Sequence, residues 1–199
     1  MRSEVQEIQR AAVAQESGYV ETRFTRKTTR SIVVEKGRVE QASVKRRAGI
    51  GVRVLVDGTW GFSSTSDLTI SSVRAAIAKA RAAAEASSSR RRTRIPDLPA
   101  AQLARGDFSD PAADIVAAIS LEQKVALTRE TEARARSESS QIKSAACAYS
   151  EIDEEKSIVT SLGADASFRL VRPEFRVQAI AERDGKLAQA NESVGVTGD

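Results

Sequence analysis

The sequence predicts an α+β protein in which antiparallel meander sheets pack with alanine-rich helices. Three features carry that expectation. The run 49–58, GIGVRVLVDG, sets Ile50, Val52, Val54 and Val56 in strict alternation with Gly51, Arg53 and Leu55, the pattern of a strand with one continuous branched apolar face. It ends in Asp57-Gly58, a strong hairpin signal, and TWGFSS returns as the partner strand. An alanine-rich segment follows at once, with apolar residues at helical spacing.

Taken in order, residues 3–17 read as a helix, with Ser3 as N-cap and Val5, Ile8 and Ala12 at helical spacing; Gly18 ends it. Strand patterning then runs from Tyr19 to about Ser64. Val20, Thr22 and Phe24 share one face of a first strand, and Ile32 and Val34 one face of a second. After the Lys36-Gly37 turn, residues 38–47 read as a third. Asp67-Leu68-Thr69 opens a second helix reaching about Ala86, with Val73, Ala76, Ile77, Ala80 and Ala84 as its buried stripe. Residues 87–111 hold three of the four prolines with serine and arginine clusters, which is linker composition.

A third helical region is expected from Pro111 to Ser137, interrupted near Ser120. Asp110 caps it, Pro111 takes its first position, and Ile115, Val116, Ile119, Val125 and Leu127 form its buried side. Strands follow at 141–151, 156–162 and 174–182, and Asp184-Gly185 turns into a last one at 186–194. The division expected from this order is a first α+β domain at 1–86, a linker at 87–111 and a second α+β domain at 112–199, cut short at its C-terminal end. SIVVEKGRVE at 31–40 echoes SIVTSLGADA at 157–166, and each half runs on into an Asp-Gly turn. Duplication of a helix-plus-strands unit and chance recurrence both fit that echo.

Composition excludes more than it assigns. The chain has 199 residues, one cysteine, no histidine and a formal charge of +4. A histidine-dependent zinc site, a Ser-His-Asp triad and a Cys-His dyad are all impossible within it. The modest charge is too small to argue for nucleic acid by itself, and a nucleic-acid partner is not expected. No apolar run approaches the ~20 residues that cross a bilayer, and a cytoplasmic location is expected.

Gly49 and Gly51 lack the third glycine of a dinucleotide turn and read as a close approach of backbones. Arg90-Arg91-Arg92-Thr93-Arg94 reads as a solvated linker, since no aromatic residues interleave it. The acidic run 151–155 lacks a calcium loop's spacing and reads as an exposed turn; the cations Arg26, Lys27 and Arg30 stand in the matching turn of the first half. Attraction between those two charge sets, across a pseudo-symmetric or subunit contact, is the sharper alternative to two solvated tips. Cys147 reads as a buried, inert thiol. Trp60 and Phe62 share a strand face; packing under the second helix is preferred to lining a groove for an extended peptide.

The run GIGVRVLVDGTWGFSSTSDLT, with its following alanine-rich helix and the preceding residues 19–51, resembles the first-domain signature of TldD/PmbA proteins. Residues 167–193, SFRLVRPEFRVQAIAERDGKLAQANES, look closer to the TldD branch than to the PmbA (TldE) branch. The resemblance implies a zinc metallopeptidase acting on small or unfolded peptides, and a homodimer or a heterodimer with a PmbA/TldE-like subunit. It also implies zinc ligands, an HExxxH motif and a distant cysteine, in a C-terminal half beyond these residues. No catalytic or metal residue therefore carries over, no cofactor is expected in this chain, and residues touching substrate or partner are unassigned. The chain alone is expected to be inactive. The alternatives are a stand-alone protein- or nucleic-acid-binding assembly module and a PmbA/TldE-type non-catalytic subunit.

Overall fold

The computed structural model describes residues 2–88, 93–95, 98 and 102–196. Among these, four helices and seven strands occur in the order α1 Arg2–Val13, β1 Tyr19–Glu35, β2 Arg38–Val56, β3 Thr59–Thr65, α2 Ile70–Ser88, β4 Arg105–Asp107, α3 Ala112–Ala118, α4 Leu121–Ser137, β5 Ile142–Thr160, β6 Asp165–Arg183 and β7 Lys186–Gly195. The sheet order is β3-β2-β1-β5-β6-β4, with β7 also on β6. The α+β expectation holds. The β2–β3 and β6–β7 pairs are antiparallel, whereas the short β4 runs parallel to β6.

Three two-residue turns set the hairpins. Lys36-Gly37, Asp57-Gly58 and Asp184-Gly185 all have positive φ at both residues, the mirror-image turn whose twist matches that of the strands it joins. Each strand between them is longer than the sequence suggests. The segments read as separate strands at 19–24 and 32–34 are one strand, as are 38–47 and 49–56, and as are 141–151 and 156–162. Neither the basic segment 26–30 nor the acidic run 151–155 is a turn. β6 also starts earlier than expected, at Asp165, and carries Pro173. α1 stops at Val13, short of the expected Ser17, while Gly18 takes a left-handed φ of 77° just before β1. The expected Ser3 cap lies outside the described side chains.

By compactness the chain divides into residues 1–26, 47–109 and 155–169, and residues 27–46, 110–154 and 170–199. In the first unit α2 lies over β3 and α1 against α2. Its core joins Val5, Ala12 and Val13 of α1 to Val20 and Phe24 of β1, Ile50, Val52 and Val54 of β2, and Val73, Ala76, Ile77 and Ala80 of α2. The α2 stripe is the one its spacing predicts. A buried amide fixes α1: Gln9 Nε2 donates to the carbonyl and hydroxyl oxygens of Thr22, both at 3.1 Å, and Ser157 Oγ donates to Gln9 Oε1 at 2.5 Å. Such a group is tolerated in a core only when its valences are met.

In the second unit Ile32, Val34 and Tyr149 are buried together, with Leu121, Val125 and Phe175 against them. The break near Ser120 is a helix start. Ser120 Oγ accepts from Gln123 N while Gln123 Oε1 accepts from Ser120 N, a complete capping box. Pro111 has helical dihedrals, and Asp110 Oδ1 accepts from Ala112 N at 2.8 Å.

The expected buried side of this region is corrected. Ile115, Ile119 and Leu127 are 71%, 42% and 48% exposed, whereas Ala113 of α3 and Lys124, Thr128 and Glu132 of α4 are buried. The reason is ionic. Lys124 Nζ lies 2.6 Å from Glu151 Oε2, and Glu151 also accepts from Arg30 Nη1 and Tyr149 Oη. Lys124 of this polar stripe is thus buried against a carboxylate that neutralises it, while Glu132 pairs with Arg136 one turn on.

The two charge sets do attract, but within the chain and between neighbouring strands β1 and β5: Arg26 pairs with Glu155, and Arg30 with Glu151. That corrects both the exposed-tip and the subunit-contact expectations. Both glutamates are buried. The sequence echo does not keep its burial: Ile32 is buried and the matched Ile158 is not, Ser157 and Val159 are buried and the matched Ser31 and Val33 are not, while Val34 and its match Thr160 are both buried.

Candidate functional site

In the first unit α1 and α2 pack on the sheet face that carries Val20, Phe24, Val52 and Val54. Gly61 decides which way β3 faces. A Cβ on Gly61 would stand 1.8 Å from Ala80 O of α2, so Gly61 points at the helix and its neighbours Trp60 and Phe62 point away from it. The core placement expected for these two rings is therefore overturned. A bulky neighbour could not occupy the helix side, and Phe62 is left 65% exposed.

The register sets Leu55 opposite Trp60 and Arg53 opposite Phe62. Arg53's guanidinium sits 4.8 Å from the centre of the Trp60 ring, Tyr19 meets that ring edge-on at 5.5 Å, and Phe62 lies 6.5 Å from it. Beneath them is Glu21, only 3% exposed. It accepts from Tyr19 Oη at 2.8 Å, Arg23 Nε at 2.6 Å and Arg53 Nη2 at 2.8 Å. Burial raises the Glu21 carboxyl, but the hydrogen bonds from Arg53, Arg23 and Tyr19 outweigh it and hold the group below its ordinary value. The Tyr19 phenol is raised, first by burial and then by donating to Glu21.

Because the folded carboxyl titrates below the unfolded one, this cluster's stability is present above the ordinary value of 4.5 and is lost as pH falls beneath it. Glu21→Gln is expected to flatten the fall of the urea midpoint between about pH 5 and about pH 3, where carboxylates take up protons. An unchanged acid limb would contradict the cluster.

Two shallow hollows flank Arg23. One, of about 290 Å³, is lined by Glu21, Arg23, Gly51, Arg53, Phe62 and Ser63. The other, of about 380 Å³, includes Arg23, Thr25, Phe108, Lys156, Ile158 and Phe168. Phe108 is 62% exposed, and the Lys156 ammonium lies 5.6 Å from the centre of the Phe168 ring. Aromatic faces beside oriented guanidinium groups can take apolar side chains and carbonyl or carboxylate oxygens.

The edge of β3 adds a second mode of contact. Val56 and Thr59 flank a two-residue turn and form a pair, which directs the backbone groups of Thr59, Gly61 and Ser63 to β2 and those of Trp60, Phe62 and Ser64 outward. β3 ends the strand order, so these outward groups form a sheet edge.

A larger cavity in the same unit, about 690 Å³, has polar groups that are already engaged within the fold. Asp165 takes Gln6 Nε2 and Arg10 Nε, each at 2.6 Å, and Arg105 Nε donates to Gly163 O at 2.8 Å.

Cys147 is buried, and burial, with the charge of Glu132, pushes its thiol up to about 11. Gly49 makes a close approach, since a Cβ there would lie 3.0 Å from Thr65 O. Arg90, Arg91 and Arg92 lie outside the described residues. A zinc site with histidine ligands cannot be built from this chain. It has no histidine, its one thiol is held protonated, and no group of three or more metal-binding side chains occurs among the described residues. Sequence reasoning missed Glu21, Arg23 and Arg53. Their signal was parity, because they alternate with the buried Val20, Thr22 and Val52.

Residues 20–84 match the family profile described as PmbA/TldA metallopeptidase domain 1, and residues 114–199 match the PmbA/TldA metallopeptidase central domain. Among curated proteins none matches. Solved structures share the fold. A candidate modulator of a DNA gyrase from Thermotoga maritima superposes with a TM-score of 0.71 at 15% identity, over 99% of this chain and 44% of that one. TldE from Thermococcus kodakarensis gives 0.68 at 14%, over 97% and 42%. A candidate modulator of DNA gyrase from Bacteroides thetaiotaomicron gives 0.61 at 12%, over 98% and 44%. This chain thus spans less than half the length of those proteins. With both profiles matched in order along it, the chain belongs to the PmbA/TldD family.

Proposed function

We propose that this chain is the N-terminal scaffold and substrate-access part of a TldD-like zinc metallopeptidase that processes small or unfolded peptides. On this reading zinc, with its ligands and the chemistry of peptide hydrolysis, belongs to a C-terminal part. A second subunit, identical or PmbA/TldE-like, completes the assembly in the cytoplasm. One observation carries the reading. Around β3, among the described residues, an outward-facing backbone edge and a partly exposed aromatic and arginine face meet on the same residues, Trp60 and Phe62. An extended peptide can pair its backbone along such an edge, while alternate side chains reach the rings and Arg23.

The role of these residues is to hold and orient, not to cleave. Fluorescently labelled unstructured peptides carrying aromatic and acidic residues should bind the purified chain saturably. Phe62→Ala and Arg23→Ala should each weaken binding about 10-fold, the effect of losing an interface anchor. Both side chains are mostly exposed, so the fold should survive. Chelator-sensitive peptide hydrolysis by the chain alone, or binding indifferent to both substitutions, would overturn the proposal.

A further inference from the structure

The hollow of about 380 Å³ beside Arg23 is lined wholly by residues of the first unit. It has two chemical sides. Ile158, Ala166, Phe168 and Phe108 supply apolar and aromatic surface, while Arg23 and Lys156 supply positive charge. No carboxylate lines it among the described residues. Phe108 is held there through its backbone, because its N–H donates to Ser167 O at 2.8 Å, next to the pairing of Asp107 with Ser167.

The charge at its rim is unbalanced. Glu21 takes Arg23 Nε at 2.6 Å and Arg53 Nη2 at 2.8 Å, so two guanidinium groups share one carboxylate and the set keeps a positive charge in excess. Glu21 engages Arg23 through Nε alone, and the Arg23 side chain is 60% exposed. Its terminal nitrogens therefore remain for an oxygen acceptor, in the rigid planar fork that suits a carboxylate.

We infer that this hollow holds the C-terminal residue of a peptide, with the α-carboxylate on Arg23 and a bulky apolar side chain against Phe108 and Phe168. A C-terminal apolar residue carries both groups on one Cα. An internal residue would bring an uncharged carbonyl, and an acidic side chain would bring a carboxylate without an apolar body. The volume lies near the lower end of the ~300–1,000 Å³ range of ligand pockets, which suits one residue and not a long segment. The inference rests on the peptide-holding reading and narrows its substrate class to peptides with a free, apolar C-terminus.

The test compares binding of short N-acetylated peptides without acidic side chains, ending in phenylalanine acid, phenylalanine amide or glycine acid. The phenylalanine acid should bind the purified chain about 10-fold more tightly than the amide, the effect of one charge-assisted contact. Arg23→Gln should bring the acid down to the level of the amide and change the amide by less than about 2-fold. Phe108→Ala should weaken the phenylalanine acid about 10-fold and the glycine acid less than about 2-fold. Phe108 is mostly exposed, so that variant should fold. Equal affinity for acid and amide, or a preference for the acid that survives Arg23→Gln, would overturn the inference. Should that happen while Phe62→Ala still weakens every peptide, holding at β3 stands without the hollow; if no peptide binds at all, both fall.

Discussion

Glu151→Ala is expected to lower folding stability by about 3–5 kcal/mol, the cost of stranding a buried partner of opposite charge. Glu151 is fully buried, Lys124 is 3% exposed at its side chain, and Arg30 is 18% exposed. The carboxylate accepts from both cations and from Tyr149. Without it two positive charges face each other in a region holding Ile32, Val34 and Tyr149, and α4 loses an ionic attachment to β5. Chemical denaturation should show the loss. Replacing the set together, with Glu151→Leu, Lys124→Met and Arg30→Met, should recover most of it, because apolar residues of similar volume remove the desolvation cost along with the pairing. Equal losses in the single and triple variants would contradict the network.

Gly61→Ala is expected to cost about 3 kcal/mol or more, near the upper end for an overpacked site. The added methyl would meet Ala80 O at 1.8 Å, with Ala80 C and Ala84 N at 2.8 and 2.9 Å. All three are backbone atoms of α2, so no side chain can swing aside, and the helix must move off β3. Ser63→Ala on the same strand should be close to neutral. If Gly61→Ala melts with the parent, α2 does not pack as closely on β3 as described, and the outward orientation of Trp60 and Phe62 loses its basis.

How far the sequence could be read follows from what patterning encodes. Alternation of Ile50, Val52 and Val54 and the helical stripe of Val73, Ala76, Ile77, Ala80 and Ala84 both report burial by apolar residues, and both were legible. The α4 stripe was not, because its buried members Lys124, Thr128 and Glu132 look like solvent-facing positions until their partners are known. The same blindness split β1 and β5. Arg26 and Arg30 read as turn residues, yet Glu155 and Glu151 on the neighbouring strand let a strand pass through them. Such pairing joins residues more than a hundred positions apart, beyond the reach of local propensity.

The candidate site failed for a different reason. Trp60 and Phe62 are large and apolar, and hydrophobicity alone sends such rings inward. Gly61 between them carried the contrary information. A strand residue without a side chain often marks a close backbone approach, and that approach to α2 fixes the rings on the opposite face. Exposed aromatics on a sheet face are consequently a feature of the fold. Their uncovered neighbours, Arg23 and Phe108, make the face usable for binding.

Trp60 is the single tryptophan of the chain, so its emission reports on that face without interference. Titrating an unlabelled, unstructured peptide into the purified protein should give a saturable change in Trp60 emission that Phe62→Ala and Arg23→Ala both diminish. Emission that stays constant while peptide is bound, or a change that neither substitution affects, would place the peptide elsewhere and contradict a substrate-holding role for the open face.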